Sequence, residues 1–210
     1  MGISYPWPAT EEAAPLAFTL TKPMRSDPAT LDPDVKRVLV PEDQIRVRIE
    51  ELGRQINRDY DGRHLTLIGV LKGSILFLAD LMRQIEIPCT VDFMSLSSYE
   101  GQKSTGVVRL LLDLREPVEG RDLLIVEDII DSGLTLSYLM QNLQTRKPAS
   151  IEVCSMLDKP DCRKVQVKAK YVGFQIPNEF VVGYGLDYNE RYRNLPYVGT
   201  LRPEAIAAKP

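Results

Sequence analysis

The chain has 210 residues, 44% of them hydrophobic and 26% charged, and a formal net charge of −3. That is apolar material enough for the core of one ordinary domain, which excludes wholesale disorder, and the slight acidic excess argues against a protein that grips nucleic acid through many phosphates. No apolar run approaches a membrane span and no basic start precedes a long apolar stretch, so a cytoplasmic protein with neither a membrane nor a nucleic-acid partner is expected.

Residues 1–35 hold six of the fifteen prolines (Pro6, Pro8, Pro15, Pro23, Pro28 and Pro33) and read as an extension, because proline breaks both regular periods. Ile45, Ile49, Leu52 and Ile56 are spaced for one helix face, with Glu42 and Asp43 placed to favour its start. Leu65–Leu71 reads as a buried strand, and Ile75, Leu78, Ala79 and Met82 again fit a helix. Strands are expected over Cys89–Leu96 and Val107–Leu112, and Leu123–Val126 (LLIV) has the unbroken apolar character of a central parallel strand. Leu136, Leu139, Met140 and Leu143 give a helix, followed by strands over Ile151–Leu157, Tyr171–Phe174 and Phe180–Tyr184. Arg202–Pro210 reads as a frayed tail. This alternation predicts an α/β domain over 36–201, with a mostly parallel twisted sheet flanked by helices.

Residue counts narrow the chemistry. Cys89, Cys154 and Cys162 are scattered and odd in number, which points to free thiols in a reducing compartment. The single histidine, His64, excludes a multi-histidine metal site within one chain, and a surface or strand-edge role suits it better than catalysis.

Ligands of such sheets bind beyond the carboxyl ends of the strands, so the loops after Leu71, Leu96, Val126, Leu157 and Tyr184 are the places to inspect. The segment after Val126 reads Glu127, Asp128, Ile129, Ile130, Asp131, Ser132, Gly133, Leu134, Thr135. Asp131–Thr135 would gather consecutive amides, two hydroxyls and a helix N-terminus around one point, which suits a phosphate monoester. Gly133 permits close backbone approach, while Glu127 and Asp128 can accept from a sugar diol or sit near magnesium. The plainer alternative is that Asp131 or Ser132 merely caps the helix and the acids are solvated.

The stretch LLIVEDIIDSGLT resembles the phosphoribosyl pyrophosphate signature of the type I phosphoribosyltransferases. VLKGS at 70–74, SYEGQKSTG at 98–106, DKP at 158–160 and the run from Val172 to Gly199 are similar to the hypoxanthine-guanine branch of that family, in the same order. The resemblance covers about Val38 to Leu201 and implies a type I fold with a small C-terminal hood. It also implies transfer of ribose 5-phosphate from phosphoribosyl pyrophosphate to hypoxanthine or guanine, giving IMP or GMP and pyrophosphate, with Mg2+ and a homodimer or homotetramer.

The resemblance assigns roles residue by residue. Asp131, Ser132, Gly133, Leu134 and Thr135 would hold the 5-phosphate, and Glu127 and Asp128 the ribose hydroxyls. Asp131 would also be the general base near purine N7. Lys72, Gly73, Ser98, Tyr99 and Arg193 would contact pyrophosphate, with Ser98–Gly106 a lid. Lys159 would donate to the exocyclic O6, Phe180 would stack on the base, and the backbone at Val181 and Asp187 would read its other edge. Asp187, with Glu127 and Asp128, would serve the magnesium ion. Leu134 stands where many relatives carry lysine. A transferase taking xanthine, or a non-enzymatic sensor of the sugar diphosphate that binds RNA or DNA, are the competing readings.

Overall fold

The computed structural model describes residues 31–98 and 108–207. The expected extension and the lid segment Tyr99–Gly106 therefore lie outside the described residues, apart from a few positions at their margins.

The elements run β1 (Val35–Val40), α1 (Glu42–Asp59), β2 (Leu65–Leu71), α2 (Ile75–Met82), β3 (Cys89–Ser98), β4 (Val108–Leu112), β5 (Asp122–Ile130), α3 (Leu134–Gln144), β6 (Ser150–Asp158), β7 (Tyr171–Gln175), β8 (Val181–Val182), β9 (Val198–Leu201) and α4 (Pro203–Ala207). Six strands form one sheet in the order β4-β3-β2-β5-β6-β7. All of its pairings are parallel except β3 with β4. The mostly parallel α/β architecture expected from the alternating periods is what forms.

Each face of this sheet is covered. Ile45, Ile49, Leu52 and Ile56 of α1 and Phe77, Leu78 and Leu81 of α2 pack on Leu65, Leu67, Leu124 and Val126. On the opposite face Leu136, Leu139 and Leu143 of α3 pack on Ile68, Leu123, Ile125 and Val153. Burial on both faces is why β2 and the first half of β5 read as continuous apolar runs rather than as alternating ones. Their removal from water supplies most of the stabilisation, at roughly 1.5–3 kcal/mol for each large side chain fully buried.

Three features differ from expectation. β5 does not stop at Val126 but continues to Ile130, where Ile129 and Ile130 still pair with Leu157 and Asp158. The acids Glu127 and Asp128 are thus strand residues and not loop residues. The Phe180–Tyr184 strand shrinks to Val181–Val182, because Gly183 and Tyr184 take φ of 95° and 49° and turn the chain away. Finally, a second sheet of order β1-β9-β8 forms the hood, and it recruits β1 from the other end of the chain: Val35 pairs with Leu201 and Val40 with Val198. No local period announces such a pairing.

The expected frayed tail is ordered over α4. Arg202 N donates to Asp34 O at 2.8 Å, and the Tyr188 hydroxyl donates to Ile206 O at 2.8 Å. His64 is exposed in the turn before β2, and Cys89, Cys154 and Cys162 are all free. No helix among the described residues is long and apolar enough to cross a membrane.

Away from the strand C-termini, the Tyr171 hydroxyl donates to Asp59 Oδ2 at 2.7 Å, and Lys170 Nζ lies 3.2 Å from the same oxygen. The tyrosine bond, more than the ammonium, holds the Asp59 carboxyl below the usual range. A lowered carboxyl stabilises the fold above its ordinary value and loses that contribution as pH falls through the lowered one. Tyr171→Phe is expected to cost about 1 kcal/mol in urea unfolding at neutral pH. The difference from wild type should narrow below about pH 4, where the carboxylate is lost.

Candidate active site

The carboxyl ends of β2, β5 and β6 lie side by side, and the three turns that leave them carry the polar residues singled out in the sequence. β2 delivers Lys72–Ser74. The Leu71–Lys72 peptide is cis, and the Ser74 hydroxyl donates to Val70 O at 2.7 Å, fastening the turn to its strand. Gly73 faces Asp128 so closely that any side chain there would collide with the carboxylate. This is a position that only glycine fits, and it couples the β2 turn directly to β5.

On β5, Glu127 is buried and Asp128 half-buried. Burial pushes the Glu127 carboxyl well above the usual carboxylate range, and the neighbouring Asp128 adds to the shift. Burial likewise pushes Asp128 up to about 6, against the opposing effect of the Ile129 N–H, which donates to its Oδ1 at 2.8 Å. Two adjacent acids held partly out of water are costly to ionise, a cost that a cation or a set of hydroxyl donors would relieve.

Beyond Ile130 comes the turn. Gly133 occupies the position before α3 with φ of 80°, a conformation that glycine takes without steric cost. The glycine offers no side chain to cap the helix, and the one nearby hydroxyl contact is long: Leu134 N to Ser132 Oγ at 3.4 Å. Capping by Asp131 or Ser132 therefore does not account for this turn, and the first-turn amides of α3 face outward with their positive dipole end. The turn is braced from behind, where Lys164 N and Val165 N donate to Ser132 O at 2.9 and 3.4 Å. Leu134 is exposed and Thr135 half-buried.

At the end of β6 stands Lys159. Its side chain is only 7% exposed, yet its ammonium lies 3.5 Å from Asp131 Oδ2, whose own side chain is 54% exposed. A buried lysine aimed at an open carboxylate is unlike the solvated loop lysine that the sequence alone would suggest.

The hood supplies the remaining side. An added side chain at Gly185, where φ is 99°, would collide with Gly73 O, so the hood turn rests on the β2 turn. Arg193 pairs with Asp187 at 2.7 Å and donates to Gly185 O at 2.8 Å, while its Nε is buried without a partner. Asp187 Oδ2 accepts from Glu190 N at 2.9 Å, and Glu190 meets Lys72 Nζ at 3.1 Å and Arg193 at 3.4 Å. Phe180 is half-exposed and sets its ring edge-on to Tyr188, with centroids 5.6 Å apart, beside Asp187. Val181 is buried and pairs with Thr200.

The structure thus joins Asp128 to Gly73, Asp131 to Lys159, Lys72 through Glu190 to Arg193, and Arg193 to Asp187. Tyr99 lies outside the described residues, and Ser98 is described only as the last residue of β3. Among the described residues no three His, Cys, Asp or Glu side chains gather as a metal cage. The sequence reading gives Arg163 and Glu190 no role and Asp158 only a place in the DKP motif, because the groups they meet are brought beside them by folding.

The phosphoribosyl transferase domain model matches residues 39–189. The chain is 54% identical over 186 residues to the hypoxanthine-guanine phosphoribosyltransferase of Mycobacterium avium, covering 85% of this chain and 92% of that protein. The crystal structure of a hypoxanthine phosphoribosyltransferase from Staphylococcus aureus superposes with a TM-score of 0.79 at 50% identity, covering 81% of this chain and 94% of that one. The hypoxanthine phosphoribosyl transferase of Trypanosoma cruzi superposes with a TM-score of 0.80 at 44% identity, over 84% of this chain and 96% of that one.

An acid whose value is raised on folding costs nothing below its unfolded value; the burden builds as pH rises from that value to the raised one and is complete above it. Asp128→Asn should therefore make the ligand-free protein more stable at neutral pH, by on the order of 1 kcal/mol. The gain should fade as the pH is taken from about 6 to below 4, where both proteins carry an uncharged side chain. Thermal melts across that range check it, and a gain that persists in acid would trace to packing and not to charge.

Proposed function

The chain belongs to the phosphoribosyltransferase family, and from that premise we infer that it is a purine-salvage enzyme, a hypoxanthine-guanine phosphoribosyltransferase. It transfers the 5-phosphoribosyl group of phosphoribosyl pyrophosphate to hypoxanthine or guanine, giving IMP or GMP and pyrophosphate. Relatives named for this activity align over nearly their whole length. The observation that carries the assignment to this site is the Lys159–Asp131 pair.

A 6-oxopurine presents O6 and N7 side by side on one edge. Lys159, a donor only, reads O6, and Asp131, an acceptor when ionised, takes the proton carried at N7 as N9 bonds to the sugar carbon. The burial of Lys159 sharpens the choice. Adenine would turn an amino donor toward the ammonium, leaving both unpaired at a cost of several kcal/mol. Phe180 stacks on the base, with the backbone at Val181 and Asp187 on its far edge.

The amides of Ser132–Thr135 hold the 5-phosphate, supported by the uncapped start of α3. They do this without the lysine that Leu134 replaces. Glu127 and Asp128 accept from the ribose hydroxyls, whose donors relieve the cost of ionising buried acids. Lys72, the Gly73 amide and Arg193 hold pyrophosphate, with Ser98 and Tyr99 closing over it to exclude water. The buried Arg193 Nε has no partner in the ligand-free protein, an unmet donor that a phosphate oxygen would satisfy if the side chain turned toward it. The donor set fits Mg2+ carried in on substrate oxygens, since magnesium keeps most of its waters and needs only one or two carboxylates. Asp187, with Glu127 and Asp128, would hold it, and its charge would stabilise the departing pyrophosphate.

The transferase domain is taken as 36–201, between a 1–35 extension and a 202–210 tail, with Val35 of β1 and the tail helix α4 joined to its hood. A homodimer or homotetramer in the cytoplasm suits the exposed apolar residues Ile75, Met82 and Leu111 and the free thiols.

A pyrophosphate-release assay with hypoxanthine, guanine, xanthine and adenine, in the presence of magnesium, tests the assignment. Turnover is expected with the first two and almost none with adenine. Activity confined to xanthine, or absent with every base, would overturn it. Asp131→Asn should depress kcat by about 10²-fold while leaving sugar-diphosphate binding near wild type. Lys159→Ala should erode the preference for hypoxanthine over adenine by about tenfold or more. Unchanged discrimination in that variant would mean that another group reads O6.

A further inference from the structure

Four residues past Lys159 the chain folds back on itself through the 3-10 turn Pro160–Cys162, closed by Cys162 N donating to Lys159 O at 3.1 Å. This returns Arg163 to the ends of the two strands it has just left. Its Nη1 donates to Ile130 O at 2.9 Å and also to Asp131 O, and its Nη2 pairs with Asp158 Oδ1. The side chains of Arg163 and Asp158 are 16% and 12% exposed, so this is a largely desolvated pair. One planar guanidinium thus spans the last carbonyl of β5, the carbonyl after it, and the last carboxylate of β6. Those groups belong to Asp131 itself, to the residue before it, and to the residue before Lys159.

Resting on the roles given above to Asp131 and Lys159, we propose that Arg163 is a positioning residue that sets the spacing between the proton carrier and the base reader. Its rigid fork suits the task, because a lysine in its place would keep the charge but lose the planar donor geometry. The two side chains it positions leave neighbouring strands, whose ends are otherwise joined only through the backbone, as by Lys159 N donating to Ile130 O at 2.9 Å. A misplacement of about 1 Å between reacting groups is enough to cost about 10²-fold in rate. The phosphate turn is held separately: Ser132 O accepts from the amides of Lys164 and Val165, which are backbone bonds that a change of the Arg163 side chain does not remove. Arg163 therefore governs turnover and base discrimination more than affinity for the sugar diphosphate.

Steady-state kinetics and thermal melts of full-length Arg163→Ala, Arg163→Lys and Asp158→Asn test this against a purely structural role, with Tyr171→Phe as a destabilised comparator remote from the site. The expected result is a loss in kcat with hypoxanthine of about 10–100-fold in Arg163→Ala, with KM for phosphoribosyl pyrophosphate within about threefold of wild type. The hypoxanthine-over-adenine preference should fall with it. Arg163→Lys should recover most of the lost melting temperature but only a fraction of kcat, and Tyr171→Phe should lose stability with kcat intact. If Arg163→Ala does not fold, Arg163→Lys and Asp158→Asn carry the same comparison. Turnover that tracks melting temperature across the series, or a raised KM with unchanged kcat, would make Arg163 a structural residue and overturn the inference while leaving the transferase assignment standing. A wild-type protein that releases no pyrophosphate with any base would overturn that assignment first.

Discussion

Two adjacent carboxylates at the end of a buried strand are the most costly feature of this molecule, and the site is organised around them. Glu127 and Asp128 ride on β5, whose preceding residues are fully enclosed by helices on both faces. Burial pushes both acids upward. A fold selected for stability alone would not hold them there, since paired apolar side chains would serve better. They are tolerated because the rest of the sheet is buried well, and in the proposed function sugar hydroxyls or a cation would offset their cost.

The same economy of charge shapes the hood. Lys72, Glu190, Arg193 and Asp187 form a chain of opposite charges across the junction between the β2 turn and the hood. Gly73 and Gly185 allow these two segments to approach more closely than any side chain would permit. The cations proposed above for pyrophosphate are thus already balanced by acids of the protein. On that proposal an arriving anion would exchange one set of ionic partners for another, avoiding the bare cost of collecting positive charge.

The proposed base-reading pair makes a different kind of contact. Lys159 is buried while Asp131 is open, so their pair faces the site and is not spent in the core. Arg163 and the backbone bond from Lys159 N to Ile130 O lock the two strand ends beside one another. The proton carrier and the base reader proposed above therefore sit at the ends of neighbouring parallel strands. This is the arrangement for which a parallel sheet is suited, because all of its carboxyl ends open on one side.

The amino-acid sequence by itself determined the alternation of β2, α2, β5, α3 and β6, because burial on both faces leaves unbroken apolar runs and a helix buries one stripe at a period of 3.6 residues. It also marked the Asp131–Thr135 turn, whose small residues and acids are contiguous. Only the tertiary structure decided the extent of β5 through Glu127 and Asp128, since polar residues at a strand end look like a loop until their partners in β6 are known. It alone paired β1 with β9 across the length of the chain. It alone turned Arg163, Asp158 and Glu190 from solvated charges into partners of site residues. A local pattern records what a residue's neighbours in sequence require, whereas these pairings depend on groups that folding brings together from elements far apart in the chain.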